Sequence, residues 1–147
     1  MTFPPDILDA VFARSTSHTS SLHGLAHWER VRENGFAIAS VTDGADAQVV
    51  LFFALFHDSM RLNDGHDPDH GRRGSALAHE LADILPLEPW QLDRLIAACD
   101  GHTDGSVSDD PTVGACWDAD RLDLPRVGIR PEARLLSTAA ARARAAL

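Results

Sequence analysis

Val49-Val50-Leu51-Phe52-Phe53-Ala54-Leu55-Phe56-His57-Asp58 is the stretch that decides how the chain folds. Eight apolar residues stand in a row, with no polar face at either the helical or the strand period, so the segment is expected to be buried on all sides. It ends in an imidazole followed by a carboxylate. Placing that pair at the end of a core segment is costly without a compensating charge, and a metal cation supplies one. If the segment is a helix, its last carbonyls add partial negative charge at the same end. The stretch therefore predicts a central helix with a cation site where it stops.

Working outward, Asp43-Gly44-Ala45-Asp46 reads as a turn and N-cap leading into this helix. Upstream, a helix is expected from about Gly24 to Val41, with Leu25, Trp28, Val31, Phe36 and Ile38 inward and a bend or split at Gly35. Pro4-Pro5-Asp6 opens a first helix on Ile7, Leu8, Val11 and Phe12, and Ser15 to Ser21 is a polar break. Downstream, residues 59 to 69 form a turn-rich loop, and Asp69 caps a fourth helix carrying Ala76, Leu77, Leu81, Ile84 and Leu85 until Pro86. Glu88 to Cys99 predicts a fifth helix on Trp90, Leu92, Leu95 and Ile96, followed by a polar loop from Asp100 to Asp110. A sixth helix runs from Pro111 to Asp123, and an Ala/Arg helix from Pro131 to the end. Strand-like alternation is scarce, so the expected fold is all-α, a bundle of six to seven helices in a single domain over residues 1–147.

Composition narrows the function. The net charge is -9 and every basic residue is arginine, with no lysine, which argues against a nucleic-acid surface. No apolar run approaches the roughly 18 residues of a membrane span, so no membrane partner is expected. The N-terminus lacks a basic and an apolar signal region, and the two cysteines, Cys99 and Cys116, sit in apolar surroundings; both features suggest a cytoplasmic protein with reduced thiols. Eight histidines, and 17 aspartates against five glutamates, make the chain rich in short metal-type ligands.

Those ligands recur at the ends of the predicted elements: His27, His57-Asp58, His70, His102, and Asp118 and Asp120. His27-Trp28-Glu29-Arg30-Val31 has the form H-x-x-R-V, and Ala119-Asp120-Arg121-Leu122 the form A-D-R-L. With His57-Asp58 between them, the order H…HD…H…H…D resembles the HD-domain superfamily of metal-dependent phosphohydrolases, over residues from about 22 to 128. The resemblance implies that His27, His57, Asp58 and Asp120 hold one metal ion. His70 and His102 are similar to the two further histidines of dinuclear members, with Asp58 bridging to a second ion. Imidazole and carboxylate donors suit manganese, iron, nickel or magnesium at the first site, and a transition metal at the second. Two cations about 3.5–4 Å apart can activate a water and stabilise the attacking and leaving oxygens of a phosphoester.

Several positions have competitors. Asp118 and Asp120 are about 200° apart around a helix, so only one can face the metal. The A-D-R-L form selects Asp120, leaving Asp118 to orient a ligand imidazole. His66 competes with His70, which stands at a helix start before Gly71. His23, four residues before His27, is a further ligand or a substrate contact. Arg61, Arg72, Arg73, Arg121 and Arg126 cluster in sequence around the ligands, and Arg61 and Arg72 are the favoured phosphate clamps. Asp64 is the expected general acid, with Asp67 and His66 equally near. His18 and His79 read as surface or cap residues, and Trp28, Trp90 and Trp117 as core. The expected substrate is a small phosphorylated molecule carrying a phosphoester or phosphoanhydride, with a nucleotide favoured. The same six ligands also occur in HD-fold mixed-valence diiron oxygenases, a second reaction class.

Overall fold

The segment from Val49 to Phe56 is a helix and every residue in it is buried, as its unbroken apolar character predicts. The computed structural model describes all residues from Met1 to Leu147. Seven α-helices and no strand make up the chain: α1 (Pro5–Phe12), α2 (Leu25–Ala39), α3 (Ala47–Phe56), α4 (His70–Glu80), α5 (Pro89–Gly101), α6 (Pro111–Arg121) and α7 (Ala139–Ala145). Short 3-10 turns fill Ala82–Ile84, Leu124–Val127 and Ala133–Leu135. The fold is all-α, as expected. α3 lies at its centre against α2, α5, α6 and the start of α4. Burying each of Phe52, Phe53 and Phe56 contributes about 1.5–3 kcal/mol.

Asp46 sets the direction of three helices at once. Its carboxylate accepts the backbone N–H of Val49 at 2.9 Å, capping α3, and also accepts from the Gln91 amide at the start of α5. Its own N–H donates to Thr112 Oγ1 at the start of α6. The N-termini of α3, α5 and α6 thus meet, and their C-terminal ends, carrying His57, His102 and Asp120, meet at the opposite pole. α2 and α4 arrive at that pole by their first turns, with His27 and His70. Three carbonyl-rich helix ends converge there, which favours a cation.

Several expectations need correction. α2 is continuous through Gly35 and ends at Ala39: a Cβ at Gly35 would lie 2.3 Å from Val50 Cγ1, so the glycine admits α3 and does not break α2. α4 stops at Glu80, and the 3-10 turn after it leaves Ile84 exposed; Ala76 is exposed too. α5 runs on to Gly101 with His102 as its C-cap, so residues 100 and 101 are helical and not loop. Trp90 is 49% exposed with Arg94 over its ring at 5.4 Å, because Gln91 takes the inward position and closes the capping box with Glu88. α6 ends at Arg121, two residues short of the expected Asp123. The last helix is only Ala139–Ala145, and residues 124 to 136 are turns, consistent with Pro125, Gly128 and Pro131 in that span.

Trp28 and Trp117 are core residues, as expected. Each also holds backbone next to the ligand pole: Trp28 Nε1 donates to the His23 carbonyl at 2.7 Å and Trp117 Nε1 to that of Ala98 at 2.8 Å. Both cysteines are buried and unpaired with each other. No helix is long and apolar enough to cross a membrane.

Candidate metal centre

Each of four buried histidines has its Nδ1 turned away from the pole and committed to an acceptor. His27 Nδ1 donates to Asp123 Oδ2 at 2.6 Å. His57 Nδ1 points back to the Phe53 and Ala54 carbonyls of its own helix, both at 3.0 Å. His70 Nδ1 lies 2.6 Å from the Asp67 carbonyl, and His102 Nδ1 donates to that of Cys99 at 2.7 Å. Carbonyls and carboxylates only accept, so the rings of His27, His57 and His102 carry a proton on Nδ1 and turn Nε2 to the pole; His70 Nδ1 faces both the Asp67 carbonyl and Arg61 Nη1 at 3.1 Å, and its Nε2 also turns to the pole.

Those Nε2 atoms face one another and two carboxylates. His27 Nε2 is 3.0 Å from His57 Nε2, 3.1 Å from Asp120 Oδ1 and 3.2 Å from Asp58 Oδ2. His57 Nε2 lies 3.4 Å from Asp120 Oδ1 and 3.6 Å from Asp58 Oδ2. On the other side, His70 Nε2 is 2.9 Å from both Asp58 Oδ1 and His102 Nε2, and His102 Nε2 is 3.5 Å from Asp58 Oδ1. Asp58 therefore gives one oxygen to each group: His27, His57, Asp58 and Asp120 form one cluster, and Asp58, His70 and His102 the other.

The donor set fits metal ions. Asp120 Oδ1 is buried and makes no hydrogen bond, although two imidazole nitrogens lie within 3.4 Å. Acceptors packed against acceptors are unsatisfied until a cation joins them. Adjacent ligands of an octahedral ion at about 2.1 Å lie ~3 Å apart, close to the spacings found.

Electrostatics agree. Burial works against charging His27, but its contacts with Asp120, Asp123 and Asp58 outweigh burial and push it up to about 10. His102 is likewise raised against burial, chiefly by Asp58. His57 is lowered, because burial outweighs Asp58 and Asp120. Burial opposes ionisation of Asp58 and Asp120, yet the histidines hold both well below the usual carboxylate range. The pole is built to hold positive charge, and a proton on His27 takes the role when no metal does.

The structure brings together His27, His57, Asp58, His70, His102 and Asp120, all six predicted ligands. It separates the competitors: His66 is exposed, and Asp118 accepts from Ser137 N and from Thr138 N and Oγ1, tying down the approach to α7. The residue that orients His27 is Asp123, which also accepts from Arg30 Nε at 2.8 Å. Its place three residues after Asp120, on the same face of a helix drawn through both, is the sequence signal for it.

Two expected catalytic residues are not at the pole. Arg72 has an 80% exposed side chain near Asp69, since it follows His70 by two positions on α4 and so points away. The Asp64 carboxylate is exposed and accepts from Ser20 Oγ at 2.7 Å; only its backbone carbonyl turns inward, toward His23 Nε2 at 3.2 Å. Asp67 is spent on Arg73 and on the Leu62 N–H. Arg61 is buried and lines the cleft. His23 and Arg126 line it as well: His23 Nδ1 is 3.3 Å from Asp58 Oδ2, and Arg126 Nη2 is 4.0 Å from the same oxygen. Arg121 is a brace, with Nη1 on the Ser106 and Leu135 carbonyls and its guanidinium over the Trp117 ring at 5.4 Å.

An all-α chain whose helix ends close on this His/Asp cluster has the HD-type fold, and the cluster is compatible with the divalent metal of HD-type hydrolases. The chain is similar to the solved structure of a predicted HD superfamily hydrolase from an uncultured Thermotogales bacterium, at 27% identity and a TM-score of 0.73, over 96% of this chain and 82% of that one. No family model and no curated protein matches the chain. The resemblance read from the sequence thus extends to the fold of nearly the whole chain.

Proposed function

We propose that the protein is a metal-dependent phosphohydrolase acting on a small phosphorylated molecule, with His27, His57, Asp58 and Asp120 holding one divalent ion and Asp58, His70 and His102 a second. The observation that carries this is the convergence of four imidazole Nε2 atoms on both oxygens of Asp58 and on Asp120. Manganese, iron, nickel or magnesium suits the first donor set, and the imidazoles of the second favour a transition metal. When bound, such ions supply a water acidified to near neutrality and positive charge for the phosphoryl oxygens.

The chain's own groups would do the rest. Arg126 directs Nη2 toward the pole and can take a phosphoryl oxygen. Arg61 lines the cleft and its buried Nε has no hydrogen-bond partner, so the guanidinium keeps a donor for an anion. Asp64 is withdrawn as general acid, and His23 is proposed instead. The Asp64 carbonyl holds its Nε2–H, leaving Nδ1 inside the cleft beside Asp58, able to hold a proton for the departing oxygen.

The test is hydrolysis of p-nitrophenyl phosphate by protein loaded with manganese, with and without dioxygen. Hydrolysis that is abolished by chelation and by Asp58→Ala, and indifferent to dioxygen, is the expected result. Tightly held iron with turnover only in dioxygen would replace this reading with the oxygenase.

A further inference from the structure

Beyond the ligand pole the cleft extends to a volume of 360 Å³, within the range of small-molecule sites. Its far wall is the segment from Leu124 to Leu136, which the chain fixes from several sides. Arg121 Nη1 holds the Leu135 carbonyl at 2.7 Å, Arg126 Nε reaches the Leu22 carbonyl at 2.8 Å, and Asp118 accepts the N–H groups of Ser137 and Thr138. Leu136 is buried behind it.

This wall mixes aliphatic side chains with the charged Arg126, Arg130 and Glu132. Leu124, Val127, Ile129 and Leu135 line the cleft, and Val127 and Ile129 remain 39% and 52% exposed. Branched aliphatic carbons left open to water inside a cleft gain free energy when an apolar group covers them. No phenylalanine, tryptophan, tyrosine, asparagine or glutamine lines the cleft, and Thr103 is the sole hydroxyl side chain there. A nucleobase laid on these aliphatic carbons would surrender hydrogen bonds to water and find no amide side chain in return, the only rings in the cleft being the histidines at the pole. Positive charge flanks the aliphatic pair: Arg126 faces Asp58 with Nη2 at 4.0 Å, and Arg130, exposed, makes no hydrogen bond or ion pair.

Resting on the phosphohydrolase reading above, we infer that the Leu124–Leu136 wall selects phosphate esters whose organic part is aliphatic or aryl, with Arg126 on the phosphate and Val127 and Ile129 on the apolar group. The sequence-based preference for a nucleotide gives way to this class. Val127 and Ile129 are specificity-determining residues and touch neither cluster.

The inference is tested by calorimetric titration of the manganese-loaded full chain with three phosphonates that resist hydrolysis: methylphosphonate, hexylphosphonate and the phosphonate analogue of adenosine monophosphate. Hexylphosphonate is expected to bind at least about tenfold more tightly than methylphosphonate, with the nucleotide analogue no tighter than methylphosphonate. The exposed pair Val127→Ser with Ile129→Ser should erase the hexyl preference and leave methylphosphonate unchanged, whereas Arg126→Ala should weaken all three alike. Equal binding of the two alkyl compounds, tightest binding of the nucleotide analogue, an unchanged preference in the serine pair, or binding of none would each overturn the inference. The phosphohydrolase reading is judged separately: a hexyl preference without hydrolysis of p-nitrophenyl phosphate would sink that reading alone.

Discussion

The Asp123 carboxylate accepts the Nδ1 hydrogen of His27 at 2.6 Å, and with it decides which nitrogen of that ring faces the cluster. Removing such an orienting partner typically costs 10–100-fold in metal affinity or activity. Asp123→Ala is expected to weaken manganese binding by about that factor in a competition titration. Asp123→Asn, which keeps a carbonyl oxygen, should recover part of it. Asp118→Ala is expected to destabilise the α7 end while leaving metal affinity within about twofold.

His23 and Asp64 make opposite predictions. If His23 holds the proton for the leaving group, His23→Gln should lower kcat by about 10²–10⁴-fold with metal content unchanged. Asp64→Ala and Arg72→Ala, both exposed, should leave kcat and KM within about twofold. A severe loss in either exposed variant would restore the sequence-based assignment.

Protonation of His27 has a defined sign. The group moves from 6.5 to about 10 in the folded chain, so its contribution to stability is complete below pH 6.5 and is lost as pH rises through about 10. Chelated protein should therefore show a Tm that declines across that window. Metal-loaded protein should lack this decline, because an ion in place of the proton makes the charge independent of pH. Metal binding near pH 7.5 should release about one proton from His27, measurable by calorimetry in buffers of different ionisation enthalpy. Parallel pH curves for the two forms would show that His27 is not where the ion binds.

Gly71 permits the closest approach of α4 to α5. A Cβ there would lie 2.3 Å from the Cys99 carbonyl and 3.0 Å from His102 Nδ1. Gly71→Ala should push the helices apart at the second cluster, costing about 1–3 kcal/mol of stability. The distinguishing readout is stoichiometry: about one ion per chain where the parent takes two, with the His27 cluster still filled.

The central helix and the all-α class were legible in the sequence because each depends on local chemistry, and the six His and Asp side chains that converge were legible through the resemblance to the HD-domain pattern. An eight-residue apolar run reads as interior, and the H-x-x-R-V and A-D-R-L forms point to His27 and Asp120 by their resemblance to HD-domain chains. Asp64 and Arg72 misled because nearness in sequence says nothing about which way a loop or helix face turns. Trp90 misled because a capping box claimed the inward position for Gln91. The Leu124–Leu136 wall was invisible, since its turns carry neither the helical nor the strand period and its purpose appears only when Arg121 and Asp118 pin it over the cluster.

Asp46 carries a consequence for how such a chain can change. By anchoring the beginnings of α3, α5 and α6 together, it turns the count of residues in each rod into a ruler that places His57, His102 and Asp120 at matching heights. One residue inserted into α5 would swing His102 by about 100° and lift it ~1.5 Å, out of the cage. The segments after Asp58 and after His102 bear no such gauge. New specificities can be grafted there, or onto the Leu124–Leu136 wall, while the cage keeps its dimensions.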